Sequence, residues 1–148
     1  MLGLQVAEWI SYGWLISTWN LGFGFTDDEG LYWPTSEHYF QAKKFNSPIL
    51  QEKIRKINSP MVAAIEGRNR ENPLREDWEY VKDDIMRYAV YQKFKQNTML
   101  KELLLSTDNL PIIEHTNNDS YWGDGGDGMG KNQLGQILME VRNKLNVR

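Results

Sequence analysis

The chain has 148 residues, 41% of them hydrophobic and 25% charged, with a net charge of −3. That length is enough for one domain with a real core and no covalent staples, so residues 1–148 are expected to form a single domain. The lack of cysteine excludes disulfides, thiolate catalysis and thiolate-bound metal, and His38 and His115 are too few for a histidine-built metal site; no metal or cofactor is expected.

In chain order, the first 25 residues are apolar, but no basic stretch precedes them and Glu8 and Asn20 interrupt them. Neither a signal peptide nor a membrane span is expected, which points to a cytoplasmic protein. Glycines at 13, 22, 24 and 30 make the N-terminal third irregular or a small β-hairpin. Thr35 or Ser36 caps a helix running to about Phe45. Ser47-Pro48, Ser59-Pro60 and Asn72-Pro73 each read as an N-cap followed by proline at the first helical position. Behind them, Leu50, Ile54 and Ile57 form one apolar set and Met61, Val62 and Ile65 a second. Leu74, Trp78, Val81, Ile85 and Ala89 form a third, which predicts an amphipathic helix from about 73 to 96. Gly67 is placed to end the helix before it. Asn97 caps a short helix through Leu105, Leu110–Glu114 is a candidate strand, and Leu134, Ile137, Leu138, Val141 and Leu145 mark a C-terminal helix. The expected fold is mainly α: a single orthogonal helical domain with a small N-terminal β element.

Four groups of residues are candidates for chemistry. Six tryptophans and seven tyrosines are a heavy aromatic load, and core packing accounts for much of it. Trp33 and Trp122 differ in standing beside polar residues at the borders of loops, where an aromatic face can stack on a heterocycle. On the helix after Trp33, Glu37, Gln41 and Lys44 recur at i, i+4 and i+7 as one polar stripe among aromatic residues. This is either a solvated face or a part-buried carboxylate–lysine pair suited to acid–base work. Residues 123–130 hold five glycines and lead through Lys131 and Asn132 into a helix, a pattern able to cradle an anion on backbone N–H groups. Gly125 to Lys131 follows the start of a Walker A loop, but Asn132 stands where Ser or Thr would hold Mg²⁺ and no apolar strand leads in. Arg68, Arg70 and Arg75 either grip phosphate or pair with Glu71, Glu76 and Asp77.

Several motifs resemble the YbiA-like family, also called NADAR: Trp33-Pro34-Thr35-Ser36-Glu37-His38-Tyr39-Phe40-Gln41-Ala42 with Lys44-Phe45, Ser59-Pro60 through Gly67-Arg68, Pro73-Leu74-Arg75 with Asp77-Trp78-Glu79, and Glu114-His115-Thr116 through Gly130-Lys131-Asn132. Leu134-Gly135 and Leu138 to Arg142 complete a match over roughly residues 30–146, in order and in register. The family's Ser-Asn-Phe-type segment has no clean counterpart after Tyr12-Gly13, so Ser17 and Asn20 are not given its role.

The resemblance implies a mainly helical N-glycosidase that cleaves ribose–base bonds, such as those of ribosylamino-pyrimidine phosphates from early riboflavin biosynthesis. It also admits a glycohydrolase removing ADP-ribose from guanine in nucleic acid, or a non-catalytic module binding ADP-ribose or a nucleotide. It places Glu37 on the catalytic glutamate, Lys44 on a candidate nucleophile, and Trp78, Asp119 and Trp122 on site residues. Asp119 is expected to act in catalysis by orienting the ribose or sharing proton transfer, Trp33, Trp78 or Trp122 to hold the base, Arg68, Arg75 and Lys131 to meet the phosphate, and Asn132 to bind the substrate. The implied partner is a small phosphorylated N-riboside or an ADP-ribosylated base. Nucleic acid would enter only as such a substrate, and no membrane is involved.

Overall fold

Residues 23–147 are described by a computed structural model. The expectations placed on Gly13, Gly22 and the segment from Trp14 to Gly22 lie outside the described residues. From residue 23 the chain enters the expected hairpin. Strand β1 (Phe25–Thr26) runs antiparallel to β2 (Tyr32–Trp33), with Phe25 opposite Trp33 and Thr26 opposite Tyr32. Asp27 Oδ1 closes the turn by accepting the N–H groups of Glu29 and Leu31. Gly30 supplies the left-handed corner, at φ 84°.

Helix α1 (Ser36–Ala42) begins where Thr35 Oγ1 accepts the N–H of His38. It stops short of Phe45, because Phe45 leaves the helix to form an antiparallel bridge with Leu74. Helices α2 (Pro48–Arg55) and α3 (Pro60–Arg68) begin at the two predicted Ser-Pro steps, with Ser47 and Ser59 accepting from the N–H groups of Leu50 and Val62. The third such step fails: α4 spans Trp78–Gln96, five residues later than expected. Asn72 caps nothing there, since its amide donates back to Glu66 O and Oε1. Leu74 is held in its bridge to Phe45, and Arg75 N donates to Lys44 O at 2.9 Å. Gly67 also departs from expectation, lying inside the last turn of α3 with Asn69 as the cap residue. Helix α5 (Thr98–Ser106) follows Asn97, and α6 (Gln133–Leu145) buries all five of its predicted apolar residues.

The expected strand at Leu110–Glu114 does not form. That extended segment is tied instead to one side chain: Asn132 Nδ2 donates to Ile112 O and Asn132 Oδ1 accepts the N–H of Glu114. The architecture is mainly α with a small β hairpin, as the sequence predicts. Among the described residues, no helix is long and apolar enough to cross a membrane.

The described residues fall into two compact units, 23–96 and 97–147. In the first, Phe25, Trp33, Tyr39, Ala42, Phe45, Ile54, Ala63 and Ala89 form the core, and Leu50, Ile57, Ile85 and Tyr88 pack against it. The apolar residues predicted to face inward from α3 do the reverse. Met61, Val62 and Ile65 are exposed, and the helix approaches its neighbours through Ala63, Ala64 and Gly67. In the second unit, Leu100 and Leu104 of α5 are buried, as are Ile112 and the apolar face of α6. Arg142 is buried too, and its guanidinium donates to Thr107 Oγ1 and Leu110 O.

Candidate active site

In the unit of residues 23–96, the polar stripe predicted on α1 is half sunk into the protein rather than solvated. Glu37 and Lys44 are partly buried, and Gln41 between them is fully so. Gln41 Nε2 donates to Glu37 Oε1 at 2.5 Å. The Lys44 ammonium lies 3.5 Å from the Gly67 carbonyl and 5.8 and 5.9 Å from the ring centres of Phe40 and Trp78. Those rings meet edge to face at 5.1 Å. Burial pulls the Lys44 ammonium below its ordinary value; the Glu37 carboxylate opposes that shift and Arg68 adds to it. The structure therefore brings Glu37, Lys44 and Trp78 together, with Arg68 exposed but close enough to be felt.

Two sequence-predicted residues of this unit do not serve as expected. Trp33 is 1% exposed, its indole N–H donates to Asp27 Oδ2 at 2.8 Å, and Tyr39 meets it edge-on at 5.1 Å. A ring so enclosed is a core residue and offers no face to a base. Arg75 closes a two-pronged pair on Asp77, Nε to Oδ1 at 2.6 Å and Nη2 to Oδ2 at 2.9 Å, and reaches Lys43 O. That pairing engages the face of the guanidinium a phosphate would need. His38 is likewise structural: its ring lies between Thr35 Oγ1 and Ile57 O, 2.7 Å from each, so the nitrogen facing the carbonyl carries the proton.

In the unit of residues 97–147, the glycine loop is organised by carboxylates. Asp119 Oδ1 accepts the N–H groups of Tyr121 and Trp122 at 2.9 and 2.8 Å. Trp122 is half-buried edge-on against Tyr121, over whose ring the Lys131 ammonium sits at 5.2 Å. Asp124 is buried, accepts from Gly126 N and Thr116 N through one oxygen, and meets His115 Nδ1 at 2.8 Å through the other. Burial pushes its carboxyl up, but the bonds from His115, Gly126 and Thr116 outweigh that and hold it below the ordinary range. Glu114 moves the other way, raised by burial and by the neighbouring Asp119 and Asp124. A cavity of about 360 Å³ is lined in part by His115, Asp124, Asp127 and Gly128.

Most of the N–H donors that the expected anion cradle would use are already engaged within this loop. The N–H groups of Gly125, Gly130, Lys131, Asn132, Gln133 and Leu134 bond to carbonyls of residues 119–124, and those of Gly126 and Met129 to Asp124 and Asp127. Asn132, expected on the substrate, has both ends of its amide on the backbone of residues 112–114. Gly125, Gly126 and Gly128 take φ of 73–84°, which lets the backbone coil sharply here. Sequence reasoning placed Gln41 on the stripe without giving it a role, and missed Gly67 as part of the Glu37 cluster and the Asp124–His115 pair, for which no local signal exists.

Comparison with known proteins bears on what this cluster does. The NADAR domain family model matches residues 7–146. The chain belongs to the NADAR domain family. The N-glycosidase YbiA of Escherichia coli (strain K12) is 56% identical over 117 residues, which cover 79% of this chain and 73% of that protein. A protein of Vibrio vulnificus (strain YJ016), named as a riboflavin biosynthesis protein, is 45% identical over 116 residues, covering 78% of this chain and 32% of its own length. The NMR structure of the E. coli protein YbiA superposes with a TM-score of 0.80 at 51% identity, over 88% of this chain and 77% of that one. As a NADAR member this close to enzymes of that name, the chain is an N-glycosidase.

Proposed function

We propose that this NADAR chain hydrolyses the bond between C1′ of a phosphorylated ribose and the nitrogen of a base, with ribosylamino-pyrimidine phosphates as the substrate class. The observation that carries the proposal is the half-buried Glu37–Gln41–Lys44 stripe beside the edge-to-face pair of Phe40 and Trp78. Breaking the C–N bond leaves positive charge on the sugar, so a fixed carboxylate at C1′ stabilises the passage, while the departing nitrogen needs a proton. Glu37 supplies the carboxylate. Lys44, with its ammonium lowered by burial, is the group most easily brought to the neutral amine among the residues placed here. In the lysine route its amine adds to C1′ of the ring-opened sugar, the base leaves with the bonding pair and a proton, and water hydrolyses the resulting Schiff base. In the water route the base departs from C1′ with the bonding pair, the oxygen of water adds to C1′, and Glu37 passes the proton it takes from that water to the departing nitrogen. Trp78 borders the site, and Arg68 stands close enough to meet phosphate. Asp119 and Trp122 remain candidates for sugar and base binding, and Lys131 for phosphate. The family match is continuous over residues 7–146, which supports reading the chain as one domain.

The test incubates the protein with ribosylamino-pyrimidine phosphate, ADP-ribose and ADP-ribosylated guanine DNA in parallel and scores the released base by mass spectrometry. Release from the first substrate is expected, with Glu37→Gln slower by about 10²–10⁴-fold while still binding. Release from the guanine adduct alone, or full activity in Glu37→Gln, overturns the reading. Borohydride trapping decides the route, since only the lysine route leaves a reduced sugar on Lys44.

A further inference from the structure

Gln41 makes a contact that its surroundings poorly reward. It is 4% exposed, and although its Nε2 donates to Glu37, its Oε1 is buried with no hydrogen-bond partner. Turning the amide over does not relieve this, because the carbonyl oxygen would then face the Glu37 carboxylate, acceptor against acceptor. The orphaned oxygen occupies the space where any residue other than glycine at position 67 would carry its Cβ. A Cβ built on Gly67 overlaps Oε1 and falls 2.7 Å from Gln41 Cδ and 2.9 Å from Gln41 Cβ. The φ of Gly67 is not left-handed, so α3 holds glycine there for room and not for conformation. The carbonyl of the same residue faces the Lys44 ammonium.

We propose that Gln41, seated against the bare Cα of Gly67, is a positioning residue that fixes one oxygen of Glu37 for the reaction and does so at the expense of stability. The inference rests on the reading of Glu37 as the catalytic carboxylate. A buried polar group whose second atom lacks a partner is costly to keep, and an apolar side chain of the same shape removes the cost. Gln41→Met is therefore expected to unfold at the same or a higher temperature than the parent. A residue present only to hold the fold predicts a lower one.

The experiment measures kcat, KM and Tm on the full chain for Glu37→Gln, Gln41→Met, Gly67→Ala, Gln41→Ala and the Gln41→Ala/Gly67→Ala pair. Gln41→Met is expected to lower kcat by about ten- to a hundredfold with KM nearly unchanged. Gly67→Ala drives the amide off its seat and is expected to lower kcat and Tm together. In the double variant the shortened side chain at position 41 removes the two closest clashes with the new methyl and leaves only its own Cβ at 2.9 Å, so kcat should equal that of Gln41→Ala alone and Tm should recover in part from the Gly67→Ala value. Full kcat in Gln41→Met, or losses that multiply in the double variant, overturns the inference while Glu37→Gln remains slowed. Full activity in Glu37→Gln instead overturns the reading beneath it.

Discussion

Lys44 and Trp33 stand within one short stretch of sequence, and burial sends them to different tasks. Lys44 is half-buried, which leaves its amine within reach of reagents while lowering its ordinary protonation. At pH 8 it should be acylated by an amine-reactive ester before the exposed Lys53 and Lys56, a ranking opposite to exposure and read by peptide mass spectrometry. Trp33 is enclosed, and its one polar atom is matched to Asp27. Trp33→Phe keeps most of the apolar volume but strands a buried carboxylate oxygen, so it should cost about 1–3 kcal/mol in urea unfolding with little effect on kcat. The sequence shows them only as residues at the two ends of one predicted helix. Nothing local distinguishes the ring that faces the core, since that depends on Phe25, across the hairpin, and on Tyr39.

At the scale of elements, starts were legible where a side chain caps its own helix and illegible where a distant residue intervenes. Ser47 and Ser59 follow their local signal, and Ser59→Ala should lower stability by about 1 kcal/mol in denaturant titration. Asn72-Pro73 carries the same signal and fails, because Leu74 is captured by Phe45, far earlier in the chain. The inverted face of α3 has a similar origin: close approach at Gly67 favours small residues inward, whatever the larger ones on the other side suggest. Asn132 shows a side chain standing in for a strand. Asn132→Asp keeps the acceptor for Glu114 N but replaces the donor to Ile112 O with a second acceptor, and a loss of about 1–3 kcal/mol is expected.

For the whole molecule, the fold class and the Glu37 helix were readable because both rest on motifs contiguous in sequence. The glycine loop misled because composition records conformational freedom but not which carbonyls claim its N–H groups. Global stability carries a further signature that no motif marks. Lys93 lies buried on α4, and burial lowers its ammonium to about 7. Between pH 7 and about 10 the unfolded chain keeps this proton while the folded one sheds it, so folding gains stability as pH rises; below pH 7 both forms hold it and the contribution is flat. The difference between parent and Lys93→Met should change by about 1.4 kcal/mol per pH unit across that window, as measured by urea unfolding at stepped pH. A variant with the same slope as its parent would assign the titration elsewhere.

The self-bonded loop from Gly123 to Asn132 also has a consequence for how the protein would behave in deuterated water. Five glycines in eight residues suggest a slack segment that surrenders its amide protons at once. Yet the amides of Gly125, Gly126, Met129, Gly130, Lys131 and Asn132 are all engaged within residues 119–132. They can exchange only when the coil opens, so this stretch should retain protons on the timescale of the neighbouring helix α6. By the same logic, a protease looking for a pliant glycine-rich stretch would find a rigid one.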